Sequence, residues 1–225
     1  TLSRRSDGAV QLTSCANSSC QNPVFSPDGT RILYNEFKGG FGNGPSALLI
    51  LDLLSGNVST ITFGEQTAMT SGRGSWIGER IVFSSDVVGH QQIYSADSNG
   101  HYPSLVSTKQ SNALGQYIKP VMNPGNIDLI TFEYYEGTES AVPHRLGILK
   151  NGSLFWLTEG SLFDDRLPSW SSDGHKLMFQ RAKNVSGRSN GIFTTQIADV
   201  AGNPPALSNL RQVSGKEDVV TYGSW

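Results

Sequence analysis

Pro23-Val-Phe-Ser-Pro-Asp-Gly-Thr-Arg-Ile-Leu-Tyr34 returns later in the chain as Pro168-Ser-Trp-Ser-Ser-Asp-Gly-His-Lys-Leu-Met-Phe179. Each copy runs from a proline through a large apolar residue and a serine to Asp-Gly, then a basic residue and a short apolar run closed by an aromatic. Asp28-Gly29 and Asp173-Gly174 are hairpin dipeptides that supply the positive φ angles of a tight turn. The cassette is therefore two antiparallel strands and their turn. Weaker copies are Gly74-Ser-Trp-Ile-Gly-Glu-Arg-Ile-Val-Phe83 and Pro120-Val-Met-Asn-Pro-Gly-Asn-Ile-Asp-Leu-Ile-Thr-Phe132, where the Asp of the turn is lost.

Working outward, two sets of landmarks share one period. Polar-Gly turns end at Gly8, Gly56, Gly100, Gly152 and Gly202, spaced 48, 44, 52 and 50 residues apart. Large apolar residues that close a short segment stand at Phe25, Trp76, Met122, Trp170 and Trp225, spaced 51, 46, 48 and 55. Periods of about 40 to 50 residues mark radial repeats. Each unit reads as four strands, because runs of β-branched and aromatic residues are bounded by Gly, Pro, Asn and Asp. Second strands end at Tyr34, Phe83, Phe132 and Phe179. Third strands are expected at Ala47 to Asp52, Gln92 to Ala96, Arg145 to Leu149 and Gly191 to Ile197. Fourth strands are expected at Val10 to Thr13, Val58 to Phe63, Ser104 to Val106, Leu154 to Leu157 and Leu210 to Val213. No sustained helical stripe interrupts them, so the chain reads as all-β. A sandwich gives no reason for the cassette to recur, whereas a β-propeller does: the bulky residue fills the wedge between adjacent blades.

The two full cassettes resemble the Pro-x-Trp-Ser-Pro-Asp-Gly repeat of the TolB-type propeller family. Ile93-Tyr-Ser-Ala-Asp-Ser-Asn-Gly100 adds the third-strand pattern, and the resemblance covers essentially the whole chain. It implies the fold, and function only loosely, because this repeat serves periplasmic interaction proteins, non-catalytic propellers of serine peptidases and some polysaccharide lyases. Five polar-Gly turns lead to the expectation of one propeller domain over residues 1–225 with five blades. Either the terminal blade is shared by N- and C-terminal strands and lacks its second strand, or the chain is a piece of a longer propeller. Such an incomplete blade exposes strand edges and invites strand exchange or homo-oligomers.

Composition removes other classes. Net charge is −2, with 17 basic and 19 acidic residues interspersed, so no polyanion footprint exists for nucleic acid. The longest apolar stretch, Ala47 to Leu54, is broken by Asp52 and is far short of the roughly 20 residues a membrane helix needs. Cys15 and Cys20 fit either a small disulfide or two free thiols. A bridge would imply an oxidising compartment and a secreted or periplasmic protein.

In a propeller the second-to-third and fourth-to-first connections gather on one face, and here they are the long ones, which is where binding is usually placed. Candidate binding residues on that face are Glu36, Lys38, Arg73, His90, Tyr117, Glu133, Tyr134, Asp165 and Arg181. They mix aromatics with both charge signs, a composition suited to a protein partner or a glycan. The blander reading gives Asp164-Asp165-Arg166 to hydrogen bonds between neighbouring blades.

Enzyme chemistry finds less support. The four histidines divide between faces, so a three-His metal centre lacks its ligands, and no cofactor motif follows the Gly-rich segment from Gly39 to Gly44. No Gly-x-Ser-x-Gly elbow exists, since Gly74-Ser-Trp-Ile-Gly78 puts Trp at its centre. Glu36 and Glu133 could face a tunnel mouth as glycosidase carboxylates. The sequence thus favours a binding scaffold for a protein partner, with a lectin-like propeller as the alternative and a polysaccharide lyase or glycoside hydrolase as the second. The loops do not repeat in sequence, which disfavours equivalent lectin sites in several blades.

Overall fold

A computed structural model describes residues 3–4, 10–15, 17–38, 46–67, 69–70, 73–107, 115–137, 142–185 and 188–213. The described elements are all β-strands. β1 (Ser3–Arg4) and β2 (Val10–Gln11) form a two-stranded antiparallel pair. The first large sheet takes β3 (Ser18–Phe25), β4 (Arg31–Lys38), β5 (Ser46–Asp52) and β6 (Val58–Thr60) in chain order. β7 (Thr62–Phe63) and β8 (Gln66–Thr67) make a small hairpin, and β9 (Met69–Thr70) returns to pair with β5. The second sheet is β10 (Ser75–Ile77), β11 (Arg80–Ser85), β12 (Gln92–Asp97) and β13 (Ser104–Leu105). The third is β14 (Gly115–Asn123), β15 (Asn126–Glu136), β16 (Arg145–Lys150) and β17 (Ser153–Trp156). The fourth is β18 (Phe163–Trp170), β19 (Lys176–Val185), β20 (Arg188–Ala201) and β21 (Ala206–Gln212).

The cassette acts as a structural unit because its polar residues bond one another. Ser26 and Ser171 each donate a hydroxyl to the aspartate two residues on, at 2.6 Å, and each hydroxyl accepts the backbone N–H of Arg31 or Lys176 at 2.9 Å. These bonds draw the Asp28 carboxyl down to about 2, the Ser26 hydroxyl being the main cause. The third sheet reaches the same end by another route. Asn123, at the serine position, is buried; its Oδ1 accepts from the N–H groups of Gly125 and Asn126, and its Nδ2 donates to the carbonyl of Gly174 in the fourth sheet. The missing aspartate is replaced by an amide that also ties two sheets together.

Consecutive sheets stack through the wedge residues. Trp76 lies in one cluster with Leu33, Leu48 and Ile50 of the first sheet. Met122 packs with Val82 and Ile93 of the second, and Trp170 with Leu146 and Ile148 of the third. Each bulky residue thus packs on the sheet that precedes it in the chain. Phe25 follows the sequence pattern but not the burial: it is 61% exposed, against 5%, 1% and 6% for Trp76, Met122 and Trp170. The reason is positional, since no four-stranded sheet precedes the first among the described residues. Trp225 and the turn at Gly8 lie outside the described residues.

A second repeated feature is invisible in the apolar pattern. In the first, third and fourth sheets the ladder between first and second strands slips at a β-bulge, between Gln21 and Val24, Ile118 and Val121, and Arg166 and Ser169. Inside each bulge the residue before a proline takes a left-handed conformation: Asn22, Lys119 and Leu167, with φ of 55°, 50° and 53°. Bulges re-aim side chains and free backbone groups from the ladder. For Lys and Leu this conformation is strained and must be held by its surroundings.

Candidate functional site

The loop-rich end is more strand than the sequence suggests. β4 runs to Lys38, β15 to Glu136 and β19 to Val185, so Glu36, Glu133, Tyr134 and Arg181 sit on strands rather than in loops. Tyr117 and Lys119 belong to β14, and Asp164, Asp165 and Arg166 to β18. Arg73 precedes β10, and His90 lies between β11 and β12. Apolar periodicity misses these extensions because their polar residues are satisfied by distant partners. Phe41 and the glycines from Gly39 to Gly44 lie outside the described residues.

Where the third and fourth sheets meet, the structure assembles a closed polar cluster around Glu133. The fully buried carboxylate accepts from Lys119 Nζ at 3.2 Å and pairs with His144 Nδ1 at 2.9 Å, both through Oε2. Its Oε1 accepts the Leu167 backbone N–H at 2.7 Å, the donor freed by the bulge of the fourth sheet. Burial pushes the Glu133 carboxyl up, but Lys119 and His144 outweigh it and hold it at about 2. The buried His144 ring stacks on Tyr135 at 4.7 Å, and its Nε2 has no partner among the described residues. Asp164 accepts the His144 backbone N–H at 2.9 Å and pairs with Arg166 at 2.8 Å. Asp165 is gripped by two nitrogens of Arg181, at 2.6 and 2.8 Å, while burial raises its carboxyl pKa.

Glu133, Asp165, Tyr117 and Tyr134 of the candidate residues are therefore buried, and Arg181 is largely so. The Tyr117 and Tyr134 hydroxyls have raised pKa values, chiefly through burial. Lys38 and Arg73 are exposed, and Glu36 and His90 are half-buried. Glu36 accepts the Ser18 hydroxyl at 2.7 Å. Cys15 and Cys20 form a disulfide with Cα atoms 6.0 Å apart. Among the described residues no group of three potential metal ligands occurs. Among the described residues no helix is long and apolar enough to cross a membrane.

Beside the cluster, a cavity of about 320 Å³ opens at the end of the third sheet, lined in part by Tyr134, Tyr135, Glu136, Arg145, Gly160 and Ser161. Arg145 had no place among the sequence candidates. It lies cross-strand from Tyr134, with its guanidinium 3.5 Å from the centroid of Trp156 and 4.8 Å from that of Tyr134. The available signal was a cation two residues from Gly147, itself cross-strand from Trp156, which puts Arg145 and the indole on one face.

No family model matches the chain, and no curated protein matches it. Solved structures do resemble it. TolB from Acinetobacter baumannii is 21% identical with a TM-score of 0.61, over 86% of this chain and 44% of that one. An oligogalacturonate lyase in complex with manganese is 17% identical with a TM-score of 0.60, over 90% and 55%. A puromycin hydrolase is 15% identical with a TM-score of 0.62, over 94% and 35%. The chain thus spans little more than half of these structures at most, and at such identities the likeness speaks for architecture alone. Together with the repeated four-stranded sheets, it makes this an all-β protein of the propeller fold.

Proposed function

We propose that this chain is a non-catalytic binding scaffold that holds a protein partner on its loop-rich end. The observation that supports it best is a division of labour among charges. Glu133, Asp164 and Asp165 are buried and each is bonded to a cation, which suits a rigid frame. Lys38 and Arg73 stand exposed at the same end, in no ion pair among the described residues, which suits contact with a partner. The disulfide supports a secreted or periplasmic setting. The test is capture from the extracellular fraction of the native source with the wild type and with Lys38→Glu/Arg73→Glu as baits. A partner retained by the first and lost by the second, at unchanged Tm, is the expected result. A partner retained equally by both ends this reading.

The reading includes a five-bladed ring, supported by β1 and β2, which pair antiparallel with each other (Ser3 opposite Gln11) and belong to none of the four large sheets. If that blade is completed by a second copy, light scattering after size exclusion shows a concentration-dependent dimer. A stable monomer at all concentrations removes strand exchange. Carbohydrate recognition is a second reading, favoured by the aromatic cavity beside Arg145.

A further inference from the structure

The geometry points to the cavity at the end of the third sheet as a binding site for one carboxylated sugar unit, a uronic acid, with Arg145 as the carboxylate anchor; this inference rests on the carbohydrate reading.

The argument starts from an unpaired cation. Lys119, Arg166 and Arg181 surround the junction of the third and fourth sheets, and each has its own carboxylate. Arg145 takes part in none of the ion pairs among the described residues. It is half-buried, and its flat face is spent on Trp156. Stacking uses the face of a guanidinium and leaves its edge, whose N–H groups form a fork that matches a planar carboxylate. A stacked arginine that lines a cavity and is ion-paired with no carboxylate among the described residues is built to receive one from outside.

The rest of the cavity selects what carries the carboxylate. Its volume, about 320 Å³, is at the small end of ligand sites and suits one ring rather than a chain. Val142, Pro143 and Tyr135 give an apolar wall for the C–H face of a pyranose, while Glu136 and Ser161 can take hydroxyl hydrogens. Glu136 decides between the two obvious carriers. An aspartate or glutamate of a protein partner brings acceptors only and would face the Glu136 carboxylate. A uronic acid brings its acid to Arg145 and its hydroxyl donors to Glu136. The site is also held in place: the Tyr134 hydroxyl donates to Glu136 at 2.7 Å, and Asn184 Nδ2 of the fourth sheet donates to the carbonyls of Gly160 and Ser161 at 3.1 and 2.8 Å.

The test is titration of the full chain with glucuronate, galacturonate and glucose, followed by ligand-observed NMR and calorimetry. At least one uronate should bind and glucose should bind more weakly. Arg145→Gln should weaken uronate binding at least about tenfold, the usual effect of losing a charge-assisted hydrogen bond. Arg145→Lys should recover little, because a point charge cannot fork. Gly160→Ala places its methyl 3.7 Å from Arg145 Cβ, an ordinary contact the fold accepts, and should weaken binding by crowding the cavity without lowering Tm. Equal binding of glucose and uronates overturns the acid specificity and leaves the carbohydrate reading intact. Binding of an Asp-rich peptide but no sugar, lost in Arg145→Gln, overturns both in favour of a protein partner. Silence toward all three sugars, or uronate binding indifferent to both Arg145→Gln and Gly160→Ala, overturns the inference.

Discussion

Glu133→Gln is expected to destabilise the protein by about 3 kcal/mol at neutral pH, the cost of breaking an ion pair whose carboxylate is fully buried. The substitution keeps the shape of the side chain and an oxygen for the Leu167 N–H, but it removes the negative charge that Lys119 and His144 share. Urea unfolding should show the whole effect as a lower midpoint at unchanged slope. The pH dependence fixes its origin. An acid whose folded pKa is depressed stabilises the fold above its unfolded value and loses that contribution as pH falls through the folded value. For Glu133 the window runs from 4.5 down to about 2. The gap between wild type and Glu133→Gln should therefore be full at pH 6 and shrink steadily below pH 4.5. A gap that persists undiminished at pH 2 would mean that the loss is one of packing and not of charge.

Gly147→Ala is expected to cost about 3 kcal/mol, the upper part of the range for overpacking a core. Gly147 lies opposite Phe132 on β15 and opposite Trp156 on β17. A Cβ there would meet the Phe132 ring, with Cε2 only 2.7 Å away. That ring has nowhere to go: it is fully buried and packs against Tyr117 and Trp156, with centroids at 5.4 and 6.2 Å. A thermal melt of Gly147→Ala beside Gly160→Ala makes the comparison, since the second addition meets nothing nearer than 3.7 Å. If the two melt alike, the close packing of the third sheet is not what limits its stability.

The contrast between these two glycines shows how far the sequence could be read. The cassette at Pro23 and Pro168 was legible because its bonds are local: Ser26 reaches Asp28 and Arg31, and Ser171 repeats the set. The wedge at Trp76, Met122 and Trp170 was legible because period and residue size suffice. Gly147 carried no turn signal, since its reason lies across the sheet in Phe132. The polar cluster was harder still. Glu133 and Leu167 are 34 residues apart and meet only because a bulge frees one N–H. Reading Glu133 and Asp165 as rim residues followed from their polarity, and their burial follows from partners that spacing does not reveal. His144 likewise appears in sequence as a loop histidine and in structure as a buried ring. Arg145 carries no signal in the sequence because an arginine opening a strand is ordinary, and what sets it apart is that it joins none of the ion pairs among the described residues.

Each wedge residue leans on the preceding sheet, so the described contacts couple the sheets as neighbours in series. Damage should then travel by distance along the chain. In amide exchange under mildly destabilising conditions, Glu133→Gln should accelerate β15 and β18 first, while β4 and β5 keep their protection the longest. The molecule would lose order as a row of adjoining units, with the interface between the third and fourth as the place where fraying begins.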